Sequence, residues 1–206
     1  MRRLVLWSGV DAWRAEVASL ELSADSLAAT GTQIGADPVE YRLDYQLTTA
    51  PGFVTETLSV DVEGEGWGRR LRLARHPDGT WDCHTGEQGE APLPPAGGDV
   101  AAIEGALDCD LARSPLTNLM PVRRHRLHER PGEVDLLMAW VSVPDLGVHP
   151  SRQRYEHVRR DGDQGVVRYV GLHRDFVGEL LVDRDGVVEH YPDLASRVKV
   201  ERPALG

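Results

Sequence analysis

Between Asp108 and Arg124 the chain gathers, among other side chains, two carboxylates, a hydroxyl, an amide and two guanidiniums that could act together: Asp108, Asp110, Thr117, Asn118, Arg123 and Arg124. Groups of these types hold a sugar or phosphate headgroup through bidentate and hydroxyl hydrogen bonds, as the polar floor of a cavity. Buried together, the same groups instead make a structural ion network that fixes one element inside a fold. The sequence leaves both readings open. Asp108 and Asp110 are two apart, so on a strand they face the same side. With Asp44 they also offer the pair of acids that sugar hydrolysis needs across a cleft, at a separation no sequence supplies.

Other residues invite chemistry less specifically. Tyr41, Tyr45, Tyr155 and Tyr169 are suited to stacking on a sugar, and equally to half-buried strand positions. Arg123, Arg124, His125, Arg126, His128 and Arg130 form a basic island. On a strand Arg124, Arg126 and His128 share one face and Arg123, His125 and Leu127 the other, which splits the charge and favours a solvated hairpin over an anionic-lipid patch. Cys83 beside His84, and His125 three residues before His128, would point to opposite faces of a strand, so no metal site is expected. No nucleophile elbow, phosphate-binding glycine loop or zinc-helix pattern occurs, so no catalytic residue and no cofactor are assigned. Asp183-Arg184-Asp185-Gly186 is too short for a calcium loop and reads as a hairpin turn.

The elements that must position these groups are nearly all strands. Val39–Leu47 alternates most clearly, with Tyr41, Leu43, Tyr45 and Leu47 on one face and Arg42 and Asp44 on the other. Trp13–Leu22, Ser26–Gly35, Val54–Val62, Trp67–Leu73, Gln153–Arg159, Val166–Leu172, Phe176–Val182 and Val187–Tyr191 also read as strands, separated by Gly, Pro and Asp turns. Residues 85–99 lack periodicity and read as a surface loop. Val122–His128 and Val134–Val143 read as the arms of a hairpin around Arg130-Pro131-Gly132-Glu133, the second arm apolar on both faces. A single short helix is predicted over 115–120: Ser114 caps it, Pro115 fits its first position, and Pro121 ends it. Leu116, Leu119 and Met120 share its inward face.

The 206 residues are expected to form one mainly β domain. A formal charge of -10, with Lys199 the sole lysine, argues against nucleic acid as a partner and leaves guanidinium as almost the only cation. No apolar run is long enough to cross a bilayer as a helix or to act as a signal peptide, so a cytoplasmic protein with free thiols at Cys83 and Cys109 is expected.

Taken in order, Asp108-Cys109-Asp110-Leu111, Ser114 through Arg124, Pro144-Asp145-Leu146 with Gln153-Arg154-Tyr155, and Val182 through Val188 with Tyr191-Pro192-Asp193-Leu194 resemble the putative glycolipid-binding family. The resemblance implies a many-stranded antiparallel sheet rolled in a spiral around one short helix, with a cavity for an amphipathic molecule such as a glycolipid. Leu116 and Ala195 depart from the aromatics that the family tends to carry there, which would alter the shape of the pocket. The expected ligand-binding set is therefore Asp108, Asp110, Thr117, Asn118, Arg123, Arg124, Tyr41, Gln153 and Tyr155 in a non-enzymatic binding protein. Two alternatives remain: an enzyme on carbohydrate or lipid using Asp108 or Asp110, and a homodimer module without ligand, pairing through an edge left by an unclosed sheet.

Overall fold

The computed structural model describes residues 1–172 and 176–199. Fourteen strands join in one sheet. The first seven, β1 (Arg2–Gly9), β2 (Arg14–Leu22), β3 (Leu27–Gly35), β4 (Tyr41–Ala50), β5 (Val54–Gly64), β6 (Trp67–Arg75) and β7 (Trp81–Gly89), form a meander of antiparallel neighbours. The rest are β8 (Asp108–Leu111), β9 (Glu133–Val141), β10 (Val148–Asp161), β11 (Gln164–Gly171), β12 (Phe176–Val182), β13 (Val188–Tyr191) and β14 (Ala195–Arg197). Among the described residues these strands pair antiparallel except β8 on β9, which is parallel.

The two runs meet where β1 pairs with β14 through Trp7 with Arg197, Ser8 with Ser196 and Gly9 with Ala195. Side chains reinforce this short join. Trp7 Nε1 donates to the Val188 carbonyl at 2.8 Å, Arg3 reaches Asp183 at 2.6 Å and Asp185 at 2.7 Å, and Arg197 reaches Asp183 at 2.7 Å. The sheet does not close, leaving β7 and β8 as its edges. It curls far enough that β8 meets the start of β5, where the Cys109 amide donates to Thr55 Oγ1 at 3.0 Å and the Thr55 amide to the Leu107 carbonyl at 3.0 Å.

Period-two patterning explains the meander. In β4 Tyr41, Leu43, Tyr45, Leu47 and Thr49 are all buried, with Arg42, Asp44, Gln46 and Thr48 more open. Two stretches depart from their expected form. The strand β7 runs on to Gly89, so the loop spans about ten residues rather than 85–99; β7 is an edge whose last residues are exposed on both faces, and backbone pairing to β6 needs no apolar alternation. Residues 122–128 are helix and turn rather than a strand, and the antiparallel partner of β9 is β10. β1 alternates as well, with Val5 and Trp7 inward and Leu4 and Leu6 outward.

The helical segment lies inside this curl. Ser114 Oγ accepts from the Leu116 amide at 3.2 Å, Pro115 already has helical dihedrals, and a 3₁₀ turn over Leu116–Asn118 leads into α1 (Leu119–Arg124). Pro121 falls in the first turn of α1, where backbone amides lack intrahelical acceptors anyway, so the helix passes through it instead of ending at Met120. Leu116, Leu119 and Met120 join the larger core formed by the inner faces of β1–β7, and Val122 joins a smaller one with Leu127, Tyr155, Val167 and Leu180.

Arg124 locks the segment in place. Its Nε donates to the Gly52 carbonyl at 2.7 Å, Nη2 to the Phe53 carbonyl at 2.8 Å and to Asp108 Oδ1, and Nη1 to Asp108 Oδ2 at 2.8 Å. The corner between β4 and β5 bends through positive φ at Gly52 (78°) and Phe53 (59°) where it supplies those carbonyls. Asp108 is fully buried, so removing its partner strands a charge. Arg124→Ala is expected to cost about 3–5 kcal/mol in urea unfolding, whereas Arg154→Ala, which breaks an exposed pair with Asp135, leaves the midpoint nearly unchanged.

Candidate functional site

Alternation along β8 sends Asp108 and Asp110 to the same side, towards the helical segment, where their partners diverge. Asp108 is spent on Arg124. Asp110 accepts from Thr117 Oγ1 at 2.8 Å and from Gln153 Nε2 at 2.7 Å. Gln153 Nε2 also donates to Ser151 Oγ at 3.1 Å, and the Tyr155 hydroxyl lies 2.9 Å from Asn118 Oδ1 and 3.0 Å from Gln153 Oε1. One phenolic proton therefore serves two amide oxygens. Burial, and then the neighbouring Asp110 charge, hold the Tyr155 phenol well above its ordinary range.

This network floors a cleft of about 310 Å³. Asp110, Arg113, Asn118, Ser114 and Ser142 supply its polar groups; Trp140, Tyr169, Tyr191 and Leu194 supply aromatic and apolar wall. Tyr169 packs edge-on against Tyr155, with ring centroids 5.3 Å apart, and lies 5.8 Å from Tyr191. Trp140 is backed by His149 at 5.7 Å. Rings that pack on one another in this way present fixed faces to the cleft.

A second polar group lies behind Ser114, where Trp7, Glu16, Gln33 and Leu43 pair in register across four neighbouring strands. Glu16 Oε1 accepts from Ser114 Oγ at 2.7 Å and from the Tyr45 hydroxyl at 2.7 Å. Tyr45 reaches it by lying flat over Gly31, where a Cβ would collide with the ring. Burial pushes the Glu16 carboxyl up to about 7, against the pull of Tyr45, Ser114 and Arg14.

Of the nine residues expected to bind ligand, five assemble in the Asp110 network: Asp110, Thr117, Asn118, Gln153 and Tyr155. Asp110 and Asn118 line the cleft itself. Asp108 and Arg124 form the separate clamp, and Arg123 turns away, its guanidinium over the Phe53 ring at 5.4 Å. Tyr41 belongs with Arg113, Arg14 and Glu16, whose charges reach its buried hydroxyl. Trp140 and Tyr191 were not singled out from sequence, because buried strand aromatics carry no mark of what they face. Arg14 and Glu16 were missed because both faces of β2 contain small or apolar residues, which hides that its charged face is the inner one, and Gln33 because the run of small residues in β3 marks neither face as inner.

A family model described as "Putative glycolipid-binding" matches residues 4–197. The crystal structure of a DUF1089 family protein from Pseudomonas aeruginosa is 28% identical, with a TM-score of 0.67 over 89% of this chain and 92% of that one. Among curated proteins none matches the chain. Among the described residues no helix is long and apolar enough to cross a membrane.

Glu16 holds its proton more tightly in the folded chain, about 7 against an ordinary 4.5. Its stabilising contribution is therefore complete below pH 4.5 and is lost as pH rises through 7. Glu16→Gln removes this dependence. Between pH 5 and pH 8 the wild type is expected to lose up to about 3 kcal/mol relative to the variant in paired denaturation curves; parallel pH profiles would show that Glu16 is ordinary.

Proposed function

The chain belongs to the putative glycolipid-binding family, and from that premise we propose that it holds the sugar headgroup of an amphipathic lipid in the cleft between β8, the helical segment and the ends of β9 and β13. The observation that carries this reading is the lining itself. A carboxylate, an amide, a guanidinium and two hydroxyls share this lining with Trp140, Tyr169 and Tyr191. Sugars present hydroxyls at their edges and C–H groups on their faces, so recognition calls for polar groups on one side and ring faces on the other.

The Asp110 network serves as a prepared floor. Thr117 and Gln153 fix the orientation of the carboxylate before any ligand arrives, which lowers the ordering entropy lost on binding. A volume of about 310 Å³ lies at the small end of ligand pockets, so it takes the headgroup and leaves the acyl chain outside. Val10, Trp13 and Leu172 are exposed at the same end of the sheet, Trp13 at 69%, and offer the tail an apolar path. The Asp108 and Arg124 clamp positions the helical segment and does not touch the headgroup.

Native mass spectrometry of the purified protein, followed by solvent extraction, is expected to release one sugar-bearing lipid per chain, and Trp140→Ala is expected to reduce the bound fraction at least tenfold. A bare protein mass that incubation with total cell lipid leaves unchanged overturns the reading.

A further inference from the structure

A small cavity lined by Trp7, Gly9, Arg14, Glu16, Gln33 and Arg113, among others, adjoins the cleft, and Arg113 is part of both walls. Its polar groups are deeply buried: Gln33 is 2% exposed, Glu16 5% and Arg14 8%. Among the described residues, Glu16 Oε2, Arg14 Nε and both Gln33 amide atoms have no hydrogen-bond partner. Buried polar atoms are nearly always satisfied, so four orphans around one space indicate a missing occupant. The cavity measures about 10 Å³, room for one oxygen.

The orphans define what that oxygen must be. Glu16 Oε1 is already taken by Ser114 and Tyr45, so Oε2 is the carboxyl atom left, an acceptor once Glu16 ionises above about pH 7 and an O–H donor below it. Arg14 Nε can only donate, and the Gln33 amide does both. A hydroxyl, which both donates and accepts, meets Glu16 in either protonation state together with Gln33 and Arg14. An ammonium cannot accept from Arg14; a phosphate, a carboxylate and an ether oxygen cannot donate to the ionised Glu16 carboxylate. Water satisfies the same atoms and is what a hydroxyl would displace.

Resting on the cleft reading above, we propose that this inner cavity is a hydroxyl-reading subsite of the ligand site: one hydroxyl of the bound sugar passes Arg113 and bonds Glu16 and Gln33. Arg113 is placed to act as the door. Its φ of 66° is unusual for a residue with a side chain, and its guanidinium is tethered at 2.9 Å to Asp37, whose carboxylate is largely exposed. A surface pair of that kind separates readily. Opening it joins the subsite to the cleft beside Ser114, whose hydroxyl already touches Glu16.

The test is calorimetric titration at pH 8, where Glu16 is ionised, with octyl glucoside below its critical micelle concentration. Gln33→Met removes both amide atoms at similar volume. It is expected to weaken binding tenfold or more while the melting temperature holds or rises, because the lost atoms make no bond within the protein. Glu16→Gln keeps an acceptor for Ser114 and Tyr45 but turns a donor into the cavity, and it is expected to weaken binding likewise. If the wild type binds and both variants bind equally well, the subsite is overturned and the cleft stands. If Gln33→Met melts lower and binds as before, Gln33 is a structural residue that holds a water, and the subsite is again overturned. If the wild type shows no binding, subsite and cleft reading fall together.

Discussion

The architecture depends on keeping a charged helix end inside an apolar curl. Arg124 makes this feasible because its guanidinium makes four hydrogen bonds in two directions, to the Asp108 carboxylate on one side and to the Gly52 and Phe53 carbonyls on the other. One side chain thus joins α1, the edge strand β8 and the corner between β4 and β5, three elements far apart in sequence. Lysine could supply the charge but not the planar fork. With α1 held, Thr117 and Asn118 one turn earlier fall beside Asp110 and Tyr155, so the floor of the cleft inherits its geometry from the clamp.

The inner surface of the sheet divides into apolar and polar territory. Most inward positions of β4–β6 carry Leu, Val, Tyr or Trp and pack with Leu116, Leu119 and Met120. Near the join of β1 and β14 the inward row changes to Arg14, Glu16 and Gln33. Burying a carboxylate there opposes the solvation of its charge, and two neutral hydroxyl donors together with Arg14 only partly compensate. Gly31 is what permits the arrangement, since it lets Tyr45 lie across β3 and reach Glu16.

Much of this was readable in the chain. Strict alternation from Tyr41 to Leu47 specified a half-buried strand, the Ser114-Pro115 pair specified a helix start, and the spacing of Asp108 and Asp110 placed them on one face. What escaped has physical causes. An edge strand such as the end of β7 is held by backbone bonds to one neighbour, which leave no trace in side-chain pattern. Residues 122–128 imitate a strand because a basic run flanked by Val122 and Leu127 carries too few apolar residues to show a helical period and so does not distinguish a short helix and its turns from extended chain. The membership of Glu16 and Gln33 in one cluster depends on β2 to β3 register, and the pairing of Trp7 with that cluster on a third strand, so no local window contains it. Asp108 and Arg124 could be seen as a pair, but the carbonyls that complete the clamp come from a corner more than fifty residues earlier.

The β1 to β14 join has a kinetic meaning. Most other contacts in the sheet link strands consecutive in the chain, which form by closing short loops. This one brings together residues some 190 positions apart, at a much larger closure entropy, and rewards it with three residue pairs, the ion pairs of Arg3 with Asp183 and Asp185, and the Trp7 bond to Val188. The two runs of strands therefore meet over long range, along this seam and through the helical segment packed between them. Trp7, Arg14 and Ala195 face each other across the seam around the small polar cavity, so an occupant of that cavity acts as a rivet between the two halves and makes their separation rarer.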